Sequence, residues 1–353
     1  MDIPFFSSPT SLPTKAASIL APDPFVTQAC AKLPTELWKE IFIHATEVEG
    51  GYDTSYMSPF EFSDIVDGYN VFLKQLSVNH RTKQTLCLVS KRWRAIAQEL
   101  IFEYLFLQDT YDWTKLADGL EESKRIDVEH GGHGAGWYVK RLEVSTMSWN
   151  EALGSAAARV IRCCPNLRVV TVGAFEEYGG VPAELVRAVF ETCPRNLRSL
   201  DWTCDLGPAQ TALMLSLLPR AEQLHALFLC VQHDISNSII KRLEGLKQKR
   251  LPHMHTLEVL SPDNDPSVVL TLMASWELPA LRQLVLCGQT DLDDARTFFA
   301  AHGPKLQTLE FDYAGEPEEP VGSDPPDRGP GMLFARCPNL KEVVLHAHWA
   351  ATQ

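Results

Sequence analysis

The sequence predicts an α/β protein, in which a small N-terminal helical module precedes a longer solenoid of alternating strands and helices. Two observations predict this division. A Leu-x-x-Leu-x-Leu pattern, with Val, Met, Phe or Trp replacing some leucines, recurs eight times after residue 138 at intervals of 25 to 34 residues. Two apolar runs with helical spacing lie between residues 31 and 107. Such a recurrence is typical of a solenoid whose repeats each add one strand to a curved parallel sheet covered by outer helices.

The composition limits the possible functions and locations. The chain has 45% hydrophobic and 22% charged residues, as a soluble globular protein does. Its net charge of −13 disfavours general binding to nucleic acid or anionic membranes, because phosphate binding requires a basic surface. No apolar run approaches the length of a membrane span, and the first residues lack the basic and apolar pattern of a secretory signal.

The nine cysteines include no CxxC pair and fall mostly beside predicted strands. This placement is typical of small buried residues in a reducing compartment rather than of a disulfide framework. We therefore expect the protein in the cytoplasm, the nucleus or both, with no nucleic-acid or membrane partner.

The helical module follows residues 1–30, which are rich in Ser, Pro, Thr and Ala and are predicted to be a disordered leader. Its first run is LPTELWKEIF, from Leu33 to Phe42, and its second is LCLVSKRW, from Leu86 to Trp93. Pro34 suits a helix start and Glu36 suits the positive end of the helix dipole. Apolar residues recur at intervals of three and four in both runs, which predicts helices continuing to about Leu105.

A module of this size, predicted over residues 31–107, cannot bury so many apolar groups alone, so we expect a partner surface. The alternative is that these are ordinary core helices packed on the downstream domain. An acidic insertion at about 45–82 separates the two runs. Between Glu47 and Phe72 it holds six acidic residues and no Lys or Arg.

A linker is predicted at 108–137 and the solenoid at 138–353. The strand patterns begin at eight positions: Val139, Leu167, Leu197, Leu224, Met254, Leu281, Leu306 and Leu340. Helical segments are predicted between the strands at about 151–163, 183–193, 208–218, 235–247, 266–275, 291–301 and 327–336. Several of them end at a proline just before the next strand, where a proline cannot continue the helix. An acidic, proline-rich segment at 316–327 is expected to be a solvated loop.

The two apolar runs together resemble the halves of an F-box, the helical module that docks on the Skp adaptor of SCF ubiquitin ligases. Fungal members of that family often carry an insertion between the halves. The resemblance implies that seven residues lie at the adaptor interface or support it: Leu33, Pro34, Leu37, Ile41, Leu88, Val89 and Trp93. The repeats resemble the leucine-rich repeats of F-box proteins. They are degenerate, because the Asn or Cys expected eight positions after the first leucine is absent.

One face of the predicted sheet is expected to bind a target protein. Side chains between the leucines point to the concave face, since successive residues of a strand alternate. The predicted target-binding residues form an apolar centre with acidic neighbours: Asp201, Phe228, Cys230, Glu258, Leu260, Val285, Cys287 and Glu310. An apolar centre with a charged rim is typical of interfaces and would suit a target with an apolar anchor flanked by Lys or Arg. The alternatives are that β-propensity alone filled these positions or that a terminal segment covers them.

No catalytic constellation, metal site or cofactor motif is predicted. His130 and His133 lack a third ligand at a recognisable spacing, and the phosphate-binding and nucleophile-elbow motifs are absent. The resemblance therefore implies a non-catalytic substrate adaptor, which binds a Skp-family adaptor and through it a cullin while the repeats hold a target for ubiquitination and proteasomal degradation. The alternative is a repeat scaffold whose helices only cap the solenoid or bind another partner.

Overall fold

The computed structural model describes residues 33–47, 65–108, 112–174, 181–202, 204, 206–231, 249–261, 267–288, 295–312 and 335–345. Five predictions lie outside the described residues, wholly or for the most part: the leader, residues 48–64 of the acidic insertion, the helix at 235–247, the acidic proline-rich loop and the helix at 327–336. The described residues form two compact units, one up to Glu103 and one from Tyr104 onward.

The first unit is helical. Its described helices are α1 (Thr35–Ala45), α2 (Ile65–Val89) and α3 (Lys91–Ile101). The helix α1 follows Pro34, as the sequence predicts. The helix α3 begins after Ser90, whose side chain accepts a hydrogen bond from the Trp93 backbone amide at 3.1 Å. A serine cap of this kind satisfies one of the unpaired amides of a first helical turn.

A small aromatic core joins α1 to α3. Trp38 and Phe42 from α1 are buried with Ile96, Ala97 and Leu100 from α3. The Trp93 ring completes the core, with its centroid 4.7 Å from the Trp38 ring and 4.8 Å from the Phe42 ring. These tilted and edge-on arrangements are the ones that aromatic pairs prefer.

The second unit is an α/β structure with a nine-stranded, all-parallel sheet whose strands lie side by side in sequence order. This arrangement is compatible with an α/β solenoid. The strands are β1 (Tyr104–Gln108), β2 (Arg141–Thr146), β3 (Val169–Ala174), β4 (Ser199–Trp202), β5 (Ala226–Cys230), β6 (Thr256–Ser261), β7 (Gln283–Gly288), β8 (Thr308–Asp312) and β9 (Glu342–Leu345). The helices between them are α4 (Trp113–Glu129), α5 (Glu151–Arg162), α6 (Ala183–Thr192), α7 (Pro208–Leu217), α8 (Ser267–Met273) and α9 (Arg296–His302).

Eight of these strands, β2 to β9, coincide with the recurring Leu-x-x-Leu-x-Leu pattern. Their middle leucine positions align in one row across the sheet, in which Leu142, Leu200, Leu257 and Leu309 are fully buried. Burial of this row explains the recurrence, because each repeat must supply one large apolar side chain to a continuous core. The predicted helices at 151–163, 183–193 and 208–218 are present to within a residue or two of each end.

The strand β1 was not predicted by the sequence pattern. The sequence predicted helix to about Leu105 and a linker from 108, but α3 ends at Ile101. Tyr104 to Gln108 instead pair in parallel with β2, so the sheet begins well before residue 138. The segment YLFLQ is rich in aromatic and branched side chains, which favour strands. A single strand without a repeat upstream offers no period from which to recognise it. The predicted linker holds the helix α4.

A ladder of asparagines ties the turns that precede the strands. Asn166 donates a hydrogen bond to the Trp137 carbonyl at 2.9 Å, Asn196 to the Pro165 carbonyl at 3.0 Å and Asn339 to the Pro304 carbonyl at 2.6 Å. Each side chain therefore reaches back to the turn of an earlier repeat and satisfies a backbone carbonyl there. The described helices include none that is both long and apolar enough to span a membrane.

Candidate functional site

Five aliphatic side chains among the described residues of the helical unit are exposed although the unit has an apolar core. One of them, Val78 on α2, is 59% exposed and lies outside the two apolar runs of the sequence, and the other four lie within those runs. Leu37 and Ile41 on α1 are 50% and 46% exposed, and Leu88 and Val89 at the end of α2 are 77% and 57% exposed. On α1 these residues alternate with the buried Trp38 and Phe42. The helix thus has one face in the core and a second apolar face in water, which marks an interaction surface.

Three polar contacts hold the helices that carry this aliphatic surface. The Arg92 guanidinium donates a hydrogen bond to the Leu33 carbonyl at 2.6 Å, and Lys39 pairs with Glu99 at 2.6 Å. Arg94 donates to the Cys87 carbonyl at 3.2 Å, beside the end of α2. Both contacts of α1 run to α3, so the position of Leu37 and Ile41 depends on the α1–α3 pair.

The seven residues predicted to contact an adaptor occupy two kinds of position. Pro34 is exposed, as are the four aliphatic residues described above. Leu33 and Trp93 are half-buried and pack against the core of the helical unit. Leu33 and Trp93 thus support the surface from the core side, and the exposed residues can be covered by another molecule. Their assignment to an adaptor interface stays a prediction.

The eight predicted target-binding residues lie on one face of the sheet, but most of them are not open to solvent. Asp201, Phe228, Glu258, Val285 and Glu310 align in one row across β4 to β8. Five of the eight are buried: Cys230, Glu258, Val285, Cys287 and Glu310. Asp201, Phe228 and Leu260 are half-buried.

The expected open apolar centre is therefore corrected: on the predicted target-binding face, the apolar residues Cys230, Val285 and Cys287 have almost no accessible surface. Alternation along a strand fixes the face that a side chain occupies. The amount of water that reaches it depends on neighbours about 4.8 Å away on each side, which the pattern does not contain. Phe228 and Leu260 remain the apolar residues of this set that a target can reach.

Carboxylates occur on every second strand of this row. Glu143, Asp201, Glu258 and Glu310 alternate with Thr171, Phe228 and Val285. The spacing of about 10 Å between successive carboxylates lowers their mutual repulsion. Burial, together with the Glu143 charge, raises the pKa of Asp201 to about 7, while Arg141 opposes this shift.

Sequence reasoning missed the polar contacts at the start of this row. Tyr104 donates a hydrogen bond to Glu143 at 2.8 Å, and Arg141 lies 3.4 Å from the same carboxylate oxygen. The Arg141 guanidinium also lies 5.6 Å from the centre of the Tyr104 ring. Tyr104 belongs to the unpredicted strand β1, so no repeat pattern could have brought these three residues together.

The two histidines weighed as half of a metal site have ordinary roles. His133 stacks on Trp137 with ring centroids 4.0 Å apart, and His130 lies 2.7 Å from the Ile126 carbonyl. In the part of the chain that the structure describes, His, Cys, Asp and Glu side chains form no group of three suited to a metal ion.

A scan against protein-family models matches no family, and a search among curated proteins finds no match.

Proposed function

We propose that this chain is the substrate-recognition adaptor of an SCF-type E3 ubiquitin ligase, with a fungal-type F-box and degenerate leucine-rich repeats. One observation carries the proposal. The residues that the F-box resemblance assigns to adaptor contact include Leu37, Ile41, Leu88 and Val89, and all four are exposed apolar side chains above a separate core.

Burial of this aliphatic surface is large enough to support binding. Each aliphatic side chain contributes about 1.5–3 kcal/mol when it moves from water into an apolar contact. Four such side chains offset a substantial part of the ordering cost of association, which is about 4–15 kcal/mol. The polar groups around them then determine orientation and specificity.

The function follows from proximity rather than from chemistry in this chain. The helical unit binds the Skp adaptor and its cullin, and the sheet unit binds a target protein near the ubiquitin-charged enzyme. Holding the two together raises the effective concentration of target lysines at that enzyme. Phe228 and Leu260 are the apolar side chains through which the sheet would contact a target.

Co-purification with the Skp adaptor tests the proposal. Replacing Leu37 and Val89 by Asp places two charges in the interface, and we expect the affinity to fall roughly 100-fold or more. The matched control replaces Ile126 and Val128 on α4 by Asp, because these two aliphatic residues are also exposed, at 42% and 60%. The control should bind like the wild type. Circular dichroism verifies that both double variants are folded.

Two results would contradict the adaptor function. The first is that the folded wild-type protein fails to retain the Skp adaptor at micromolar concentration. The second is that the Leu37→Asp, Val89→Asp variant retains the adaptor as well as the control does. In either case the helical unit has another role.

A further inference from the structure

Four arginines line one pocket on the surface of the sheet unit, at turns that precede three consecutive strands. The pocket has a volume of about 540 Å³ and its polar lining is Arg168, Arg195, Asn196, Arg198, Arg220, Glu222 and Gln223. Arg168 immediately precedes β3, Arg195 and Arg198 precede β4, and Arg220 precedes β5. All four arginines are exposed.

The backbone holds these arginines in register. The Arg198 amide donates a hydrogen bond to the Arg168 carbonyl at 2.8 Å, and the His225 amide donates to the Arg198 carbonyl at 2.7 Å. Asn196 is fixed by its bond to the Pro165 carbonyl. The pocket wall is therefore an extension of the sheet ladder. The backbone positions of Arg168 and Arg198 are thus fixed by the sheet.

The four guanidinium groups have no ionic partner in the described part of the chain, where none lies within 4.0 Å of a carboxylate oxygen. Two arginines of α5, by contrast, have ionic partners. Arg159 contacts both Asp118 and Glu121 at 2.6 Å, and Arg162 contacts Glu184 at 2.9 Å.

Clustered positive charges on neighbouring turns repel one another. The chain has 45 acidic residues and a net charge of −13, so acidic partners were abundant. The pocket contains a single carboxylate, Glu222, which leaves its lining with a net charge of +3. An uncompensated cationic pocket on an acidic protein indicates that the compensating charge comes from a ligand.

The guanidinium fork selects among anions. Its planar N–H groups match two oxygens of one phosphate, and several forks can share the oxygens of adjacent phosphates. A carboxylate has two oxygens and one charge, so it engages one fork. A diphosphate carries about three negative charges near neutral pH, which matches the net charge of the lining.

We propose that this arginine pocket binds a ligand bearing two adjacent phosphate groups. The site is independent of the proposed adaptor role, because the aliphatic surface of the helical unit plays no part in it. Binding would strengthen at low ionic strength, since exposed charge pairs are screened by salt.

Isothermal titration calorimetry of the full chain with inorganic pyrophosphate tests the proposal. The comparison ligands are orthophosphate and citrate, a tricarboxylate of similar charge without phosphorus. We expect one pyrophosphate per chain, bound at least about tenfold more tightly than either comparison ligand. Arg168→Ala with Arg198→Ala should weaken pyrophosphate binding roughly tenfold or more, and Lys at both positions should restore only part of the affinity.

A matched double variant, Arg162→Ala with Arg187→Ala, removes the same charge from exposed positions outside the pocket and should leave binding unchanged. All substituted side chains are exposed, so thermal melting verifies that each variant is folded. Three results would overturn the proposal: no binding of pyrophosphate, equal affinity for citrate, or equal loss in the two Ala double variants. None of these results bears on Skp binding, so the two proposals fail separately.

Discussion

Phe42→Ala tests whether the helical unit is stabilised by its aromatic core. Phe42 is 1% exposed, and its ring centroid lies 5.8 Å from that of Trp38 and 4.8 Å from that of Trp93. Removing a buried phenylalanine side chain costs about 3–5 kcal/mol, from lost transfer energy and the cavity that remains. A whole domain is stabilised by only about 5–15 kcal/mol, so this change removes a large share of that stability.

Amide hydrogen exchange measures the loss where it occurs. In Phe42→Ala we expect protection of the α1 and α3 backbone amides to fall by about two to four powers of ten, since each 1.4 kcal/mol is a factor of ten. The control is Leu37→Ala on the same helix, five positions earlier. Because Leu37 is half exposed, its truncation should change stability by no more than about 0.5 kcal/mol.

The two variants should also separate folding from binding. Under the proposed adaptor function, Leu37→Ala should weaken Skp binding with little change in exchange, whereas Phe42→Ala should affect both. Equal protection in Phe42→Ala and in the wild type would refute the assignment of the aromatic cluster as the core that orients the aliphatic surface.

Three further predictions concern the sheet unit. The pKa of Asp201 is raised to about 7, mainly by burial, and so exceeds its value of about 3.9 in the unfolded chain. Between these values the folded state binds one proton more than the unfolded state, so stability should fall as the pH rises through 7. Asp201→Asn should flatten this decline in the urea midpoint, and an unchanged slope would argue against the raised pKa. Gly119→Ala should raise the free energy of unfolding by about 0.5–1 kcal/mol, because Gly119 is exposed on α4 and nothing lies within 4 Å of the added carbon. Gly154→Ala should lower it by about 1–3 kcal/mol, because the added carbon would clash with the Pro182 ring. Chemical denaturation measures both changes. Burial raises the pKa of Cys193 to about 12, so native protein should resist alkylation there at pH 8 and unfolded protein should not, as mass spectrometry of the peptide would show.

The repeat pattern was sufficient to predict most of the sheet, for a physical reason. Each repeat must place large apolar side chains in the same buried rows, so Leu200 and Leu257 recur with the period of the structure itself. The strand β1 could not be predicted in this way, because it lies before the first repeat and no earlier repeat sets its period. The asparagine ladder was not predicted either, because the sequence shows that Asn166 and Asn196 follow or lie near a proline but not which earlier turn their side chains reach.

Exposure was predicted less well than position. On α1, helical spacing places Leu37 and Trp38 in one apolar stripe, but the structure buries Trp38 and leaves Leu37 half exposed. On the sheet, alternation places Cys230 and Val285 on the predicted binding face, yet both are buried. In each case the deciding term is the packing of a neighbouring element from a distant part of the sequence, which no local pattern encodes.

The arginine pocket shows the same limit for charge. Arg168, Arg198 and Arg220 lie in different repeats, and each is unremarkable in its own segment of an acidic chain. The parallel register places Arg168 and Arg198 immediately before two adjacent strands, where their like charges repel each other. Meanwhile the carboxylates of Glu143, Asp201, Glu258 and Glu310 occupy an inner row of the sheet. The sheet unit thus separates its charges by position along the strand: a basic patch precedes β3 to β5, and acidic groups lie within the strands.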